Sequence, residues 1–154
     1  FWSNTNRGNT GDDDFTMITF AYNGSNSFTN ANIDCYWNGS NLGQGFYANG
    51  LNQGTLAMSS STDRKITIGS NSWVFQKCGN NTETQFNDLT IWNKRLSDSE
   101  VSELYNSGTR LDATTHSAAE DLEGYYKLEN DGTDSSGNSH PSFVINGNSN
   151  FVSL

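Results

Sequence analysis

Hydrophobic and polar residues alternate in short runs along this chain, which is the periodicity of β-strands. The longest run spans residues 15–22 (FTMITFAY), and a second spans 33–37 (IDCYW) and ends at Asn38-Gly39. Asn-Gly tolerates positive φ at both positions, so it predicts a tight hairpin turn. Residues 3–14 are predicted as a loop. Further short strands are predicted at residues 46–48, 56–58, 65–69, 73–76, 125–129, 143–145 and 151–154.

The clearest local signal lies between residues 86 and 108. Residues 89–92 (LTIW) alternate as a strand, and Ser97 with Glu100 then forms the S-x-x-E pattern of a capping box. Three apolar residues follow at the i, i+3, i+4 spacing of one helix face: Val101, Leu104 and Tyr105. The stretch therefore predicts a strand followed by one short helix, with Gly108 as its C-terminal cap.

Composition narrows the class of protein. The chain has 154 residues, of which 32% are hydrophobic and only 16% charged, and its net charge is −9. This length favours one domain, and many strands with one helix indicate an all-β fold. A nucleic-acid-binding protein would carry a basic stripe, and the Lys and Arg residues here are scattered. No apolar run is long enough to span a membrane.

Several of these stretches resemble the laminin-G-like domain of the concanavalin A-like lectin and glucanase superfamily. Residues 88–105 (DLTIWNKRLSDSEVSELY) are similar to the closing strand and helix of that family, and residues 15–39 and 65–69 are similar to its preceding strands. The resemblance implies a jelly-roll β-sandwich of two antiparallel sheets with one short α-helix. Thr84 and Asn87 depart from the glycine and acidic residue that the family carries before its closing strand.

The order of the pieces is permuted relative to the family. Residues 125–154 (YYKLE, TDSSGN, INGNSNFVSL) resemble the family's opening but come last, and Phe1-Trp2 resembles the end of the strand that should follow it. We expect one domain over residues 1–154, with a main body at 1–115 and strands at 120–154 that complete this sandwich or a neighbouring one. The abrupt FWSN start is typical of a piece excised from a longer protein. A window cut from a tandem array and a true circular permutation both explain the order.

Catalysis is not expected. Glucanases of the superfamily need paired carboxylates on an alternating E-x-D-x-x-E strand, and the sequence lacks that motif. Glu100 and Glu103 fall on the predicted helix, where capping and solvation explain them. We expect a non-catalytic module, with a glucanase-type glycoside hydrolase as the least favoured alternative.

Glycan binding is the function that the aromatic residues favour. Sugars stack on aromatic rings while amides satisfy their hydroxyls, and four aromatic residues adjoin Asn- and Gly-rich turns: Tyr36, Trp37, Tyr47 and Trp73. For each of the four a place in the core is the more favoured explanation, and Trp92 and Tyr105 are assigned to the core more firmly. The resemblance also implies an adhesive or purely structural role in a larger virion-surface, fibre or secreted protein. Its partners would be cell-surface or polysaccharide glycans, or neighbouring structural subunits.

The sequence gives only weak evidence for a metal site or for a disulfide bond. Asp88 and Asp134 are weak candidate Ca²⁺ ligands, and a hydrogen-bonded turn is the favoured explanation. No cofactor is expected. Cys35 and Cys78 are the only cysteines, and their spacing does not decide whether they pair.

Overall fold

The computed structural model describes residues 2–5, 16–24, 32–43 and 84–144. Within these ranges most of the regular elements are β-strands, which form two small antiparallel sheets beside one short α-helix. The elements of the described residues are therefore consistent with the predicted all-β fold. The strands predicted at 46–48, 56–58, 65–69, 73–76 and 151–154 lie outside the described residues. No helix among the described residues is both long and apolar enough to cross a membrane.

The larger sheet has five strands in the order β4-β3-β2-β1-β5. These strands are β1 (Trp2–Thr5), β2 (Thr16–Tyr22), β3 (Ile33–Trp37), β4 (Ser40–Asn41) and β5 (Thr84–Asn87). The start of the predicted loop at 3–14 is thus part of a strand, because β1 pairs with both β2 and β5.

The smaller sheet pairs β6 (Leu89–Trp92) with β7 (Leu122–Tyr126). The α-helix, α1, spans Asp98–Tyr105, and three short 3-10 turns follow at Asn106–Gly108, Ala113–Thr115 and Ala119–Asp121. The connection between α1 and β7 is therefore structured, and it buries Ala113, His116 and Ala118.

The β2–β3 hairpin follows the alternation of its sequence. Met17, Ala21 and Tyr36 point into the core and are at most 4% exposed. Asn38 and Gly39 form the predicted turn between β3 and β4, with φ of 50° and 76°. The Asn38 side-chain oxygen accepts from the Met17 backbone N–H at 2.9 Å, and the Asn38 N–H donates to the Met17 carbonyl. The turn is thereby tied to the neighbouring strand.

The predicted capping box is present at the start of α1. The Ser97 hydroxyl accepts from the Glu100 backbone N–H, and the Glu100 carboxylate accepts from the Ser97 N–H. The predicted C-terminal cap is wrong, because Asn106 takes the left-handed conformation at φ 48° and ends the helix two residues before Gly108. Asparagine adopts that conformation more readily than other residues with a Cβ, so the helix stops at the first position that permits it.

Two core clusters meet at Trp92. The first contains Met17, Ala21, Tyr36, Leu96, Val101, Leu104 and Ala118, and the second contains Ala113, Leu122 and Tyr125. Trp92 packs against both clusters, and Tyr105 packs against the first. Both residues thus lie against the core, as the sequence predicted. This shared packing holds α1 against the larger sheet and β6.

The chain passes from one sheet to the other at Asp88. This residue separates β5 from β6, has φ of 52° and is 4% exposed. Its Oδ1 accepts from the Tyr125 hydroxyl at 2.8 Å and from Arg110 Nη2 at 2.9 Å. Arg110 Nε lies against Oδ2 as an ion pair, although Oδ2 accepts no hydrogen bond of normal geometry. A buried carboxylate thus fixes the bend between the sheets.

Two strand predictions near the end of the chain are wrong in their bounds. The strand predicted at 125–129 is β7, which begins three residues earlier because Leu122 pairs with Trp92. Phe143 and Val144 were predicted as strand and are not in one. Phe143 instead packs edge-on against Tyr126, with ring centroids 4.6 Å apart, and its N–H donates to the Gly132 carbonyl.

Candidate ligand-binding surface

The outer face of the β2–β3–β4 sheet is apolar and open to solvent. Phe20 is 59% exposed, Trp37 is 44% exposed and Leu42 is 51% exposed. Phe20 lies opposite Cys35 in the β2–β3 ladder, and Trp37 lies opposite Ile18. Phe20 and Trp37 are therefore diagonal neighbours on one face, within reach of each other's rings. We call Phe20, Trp37 and Leu42 the aromatic face.

Cys35 lies between the exposed side chains of this face and is buried with a free thiol. Burial raises the pKa of the Cys35 thiol, and the negative charge of Asp34 raises it further. The thiol is therefore protonated at neutral pH, so it contributes apolar surface and not a reactive thiolate. Cys78, whose pairing with Cys35 the sequence left undecided, lies outside the described residues.

Tyr36 belongs to the core and not to this surface. It is 2% exposed, and its hydroxyl donates to Asp98 Oδ1 at 2.7 Å. Asn41 Nδ2 donates to the same oxygen at 3.0 Å, so the first residue of α1 is tied to both β3 and β4. Burial raises the pKa of Tyr36, and the hydrogen bond to Asp98 adds to the effect. The prediction that the Tyr36 ring stacks on a sugar is corrected, because a buried ring offers no face to a ligand.

A cleft of about 620 Å³ adjoins the aromatic face. Its walls are residues 18–24, which include most of β2, and residues 89–96, which comprise β6 and the loop before α1. Phe20 belongs to both the cleft and the aromatic face, so the two form one continuous surface. A volume of this size accommodates a ligand of a few sugar rings.

The cleft walls hold neutral polar groups beside the apolar ones. Asn23, Thr90 and Asn93 line it, and the Thr90 hydroxyl accepts from Trp92 Nε1 at 3.0 Å. Amides and hydroxyls next to aromatic rings are the combination that sugar binding requires.

Of the four aromatic residues that the sequence predicted to bind sugar, the structure describes two, and their environments differ. Trp37 is on the exposed face and Tyr36 is in the core, while Tyr47 and Trp73 lie outside the described residues. Sequence reasoning missed Phe20 and Leu42. The signal for Phe20 was present, because residues 15–22 are apolar on both faces of the strand and only one face can enter the core.

The two candidate calcium ligands are already occupied by donors of the protein. The Asp88 carboxylate accepts hydrogen bonds from the Tyr125 hydroxyl and from Arg110. Asp134 Oδ1 accepts from the backbone N–H groups of Tyr125 and Ser136, and Oδ2 accepts from the His140 N–H and the Ser136 hydroxyl. Burial acts to raise the pKa of Asp134, but these backbone hydrogen bonds outweigh it and hold the pKa below its usual range. Among the described residues, no three His, Cys, Asp or Glu side chains converge to hold a metal ion.

The helix carboxylates have structural partners. The hydrogen bond from Lys94 lowers the pKa of Glu100 to about 2, and the hydrogen bonds from Ser97 contribute to that shift. Glu103 accepts from the Ser117 hydroxyl and N–H, which lower its pKa. Glu100 caps α1, as the sequence predicted, whereas Glu103 joins α1 to the segment that follows it.

Comparison of the chain with protein-family models, with curated proteins and with solved structures found no match in any of the three.

Proposed function

We propose that this chain is a non-catalytic glycan-binding and adhesion module. The observation that carries the proposal is the aromatic face, where Phe20 and Trp37 are exposed as diagonal neighbours beside a cleft lined by amides. Soluble domains rarely expose contiguous large apolar side chains unless those side chains bind something. Aromatic rings next to neutral hydrogen-bonding groups match the alternating apolar and hydroxylated faces of a sugar.

The architecture that we propose for the whole chain is the laminin-G-like jelly-roll sandwich. Two antiparallel sheets that share a core with one capped helix are compatible with it. We place the module in a larger virion-surface, fibre or secreted protein, where such a domain would contact polysaccharides or cell-surface glycans.

Glycan-array binding followed by titration tests the proposal. We expect the parent chain to bind at least one oligosaccharide, and Trp37→Ala to weaken that binding at least tenfold, equivalent to about 1.4 kcal/mol. Val144→Ala is the control, because Val144 is also an exposed apolar residue, at 76%, but belongs neither to the aromatic face nor to the cleft. An array without hits, or equal affinities for parent and Trp37→Ala, would contradict glycan binding at this face.

The same exposed face also favours a second candidate, a purely structural interaction domain that docks on a neighbouring subunit. Apolar patches rimmed by polar residues are common at protein interfaces. Analytical ultracentrifugation separates the two functions, since self-association that disappears in Trp37→Ala, with an empty array, favours the structural role.

We infer that hydrolysis is not the function of this surface. A glycosidase needs two carboxylates free to act on the sugar bond. The carboxylates that reach the cleft residues, Asp34, Glu100 and Asp121, contact Arg95 or Lys94 in ion pairs. We expect no release of reducing ends from β-glucans, and a rate abolished by one carboxylate substitution would overturn this inference.

A further inference from the structure

The charged groups of the cleft are balanced by carboxylates outside its walls. Within the described residues, Lys94 and Arg95 are the only charged side chains that line the cleft. Lys94 Nζ lies 2.8 Å from Glu100 Oε1 and 3.5 Å from Asp121 Oδ2. Arg95 forms an ion pair with Asp34. Each cation of the cleft is therefore already neutralised.

The local balance is negative. Among the described residues three carboxylates face two cations at this site, and the whole chain carries a net charge of −9. An anionic ligand would compete with these carboxylates for Lys94 or Arg95 and would meet their repulsion. The Asp34 side chain is only 13% exposed, so water compensates poorly for the loss of its partner.

The remaining contacts of the surface are neutral. Phe20 lines the cleft beside the Thr90 hydroxyl and the Asn93 amide, and the amide nitrogen of Asn23, which also lines it, donates to Asn32. These groups recognise uncharged hydroxyls through hydrogen bonds and sugar faces through stacking.

We propose that the ligand of this surface is a neutral glycan, and that sugars carrying carboxylates or sulfates are discriminated against. This inference rests on the proposed glycan binding and adds the chemical class of the ligand. The discrimination arises from charge, because the two ion pairs occupy the cations that an acidic sugar would otherwise use.

Matched neutral and anionic probes test the inference on the intact chain. Suitable pairs are lactose with sialyllactose, and fully methyl-esterified hexagalacturonate with hexagalacturonate. We expect the neutral member of a bound pair to bind at least tenfold more tightly. Its affinity should change less than twofold between low and high NaCl, since no charge pair forms with the ligand.

The outcomes separate the two proposals. Tighter binding of the anionic members, weakened by salt, would overturn the neutral-ligand inference and leave glycan binding intact. Absence of binding to every member of both pairs, together with an array without hits, would refute glycan binding itself, and this inference with it.

A charge variant tests the cause of the discrimination. Asp34→Asn removes the partner of Arg95, so we expect it to raise the affinity for the anionic probe at least fivefold and to leave neutral binding within twofold. Asp131→Asn is the matched control, because it changes the net charge equally and Asp131 accepts from its own turn at the Thr133 N–H.

Asp121→Asn is a second variant, in case the loss of the Asp34 carboxylate prevents folding. Asp121 lies beside Lys94, and its side chain is 35% exposed, so its removal is less disruptive. If neither folded variant gains affinity for the anionic probe, these ion pairs do not set the ligand class and the inference is wrong.

Discussion

Replacing Asp88 tests whether one buried carboxylate holds the two sheets together. Asparagine at this position keeps the size of the side chain and tolerates φ of 52°, so Asp88→Asn removes the charge and little else. The amide oxygen of asparagine still accepts from the Tyr125 hydroxyl, but the amide nitrogen cannot accept from Arg110 Nε, and the Arg110 guanidinium keeps only Glu129 as a carboxylate partner among the described residues.

The loss of stability expected for Asp88→Asn depends on how far water reaches the Arg110 side chain. Breaking a buried ion pair costs about 3–5 kcal/mol when the remaining charge is stranded. The Arg110 side chain is 35% exposed and retains Glu129, so water and that carboxylate recover part of the loss. We expect the free energy of unfolding to fall by about 2–3 kcal/mol. For a domain of this size the melting temperature should fall by about 4–12 °C.

Urea denaturation measures this change, with fluorescence and circular dichroism as two probes of one transition. Glu120→Gln is the control, because Glu120 is exposed and its substitution should alter the stability by less than about 0.5 kcal/mol. If Asp88→Asn unfolds within 0.5 kcal/mol of the parent, the carboxylate is not what holds the bend. Asp88→Gly and Asp88→Ala then isolate the backbone, and Ala should be the less stable by about 0.5–1 kcal/mol because of its left-handed φ.

Two further predictions concern the turn after β3 and the start of α1. Gly39→Ala should destabilise the chain by about 2 kcal/mol or more in urea titrations, because φ is 76° and a Cβ would lie 2.9 Å from Tyr105 Cβ; an unchanged midpoint would refute the close packing. The pKa of Glu100 is lowered from 4.5 to about 2, so its ionised form stabilises the fold above about pH 5 and that stabilisation is lost as the pH falls towards 2. Stability measured over this range should decline less in Glu100→Gln than in the parent, and parallel profiles would contradict the assignment.

Elements set by neighbouring residues could be predicted from the sequence. The capping box at Ser97, the apolar face of α1 and the Asn38-Gly39 turn each depend on side chains within a few positions of one another. The strand runs at 16–22 and 33–37 were likewise visible as alternation. Local propensity and tertiary packing agree at these sites, so the pattern alone was sufficient.

Features set by distant partners could not be predicted. β7 begins at Leu122 because that residue pairs with Trp92, thirty positions earlier, and no local pattern marks that pairing. The role of Asp88 depends on Arg110 and Tyr125, which reach it from other segments.

The candidate surface was predicted only in part for the same reason. Alternation separates the two faces of β3 but does not say which face the core covers, so Tyr36 and Trp37 looked equivalent. The packing of α1 decides between them, because the Tyr36 hydroxyl meets Asp98 at the start of that helix.

The position of β1 has a consequence for synthesis of the chain. β1 pairs with β5 through contacts such as Trp2 with Asn87, so about 85 residues must leave the ribosome between the two strands. At typical elongation rates this takes about 4–17 s, whereas the β2–β3 hairpin can form in microseconds. During that interval β1 has only β2 as a sheet neighbour, and its other edge can pair with any extended segment nearby. The nascent chain is therefore most prone to misassembly before β5 emerges, and slower elongation should lower the soluble yield.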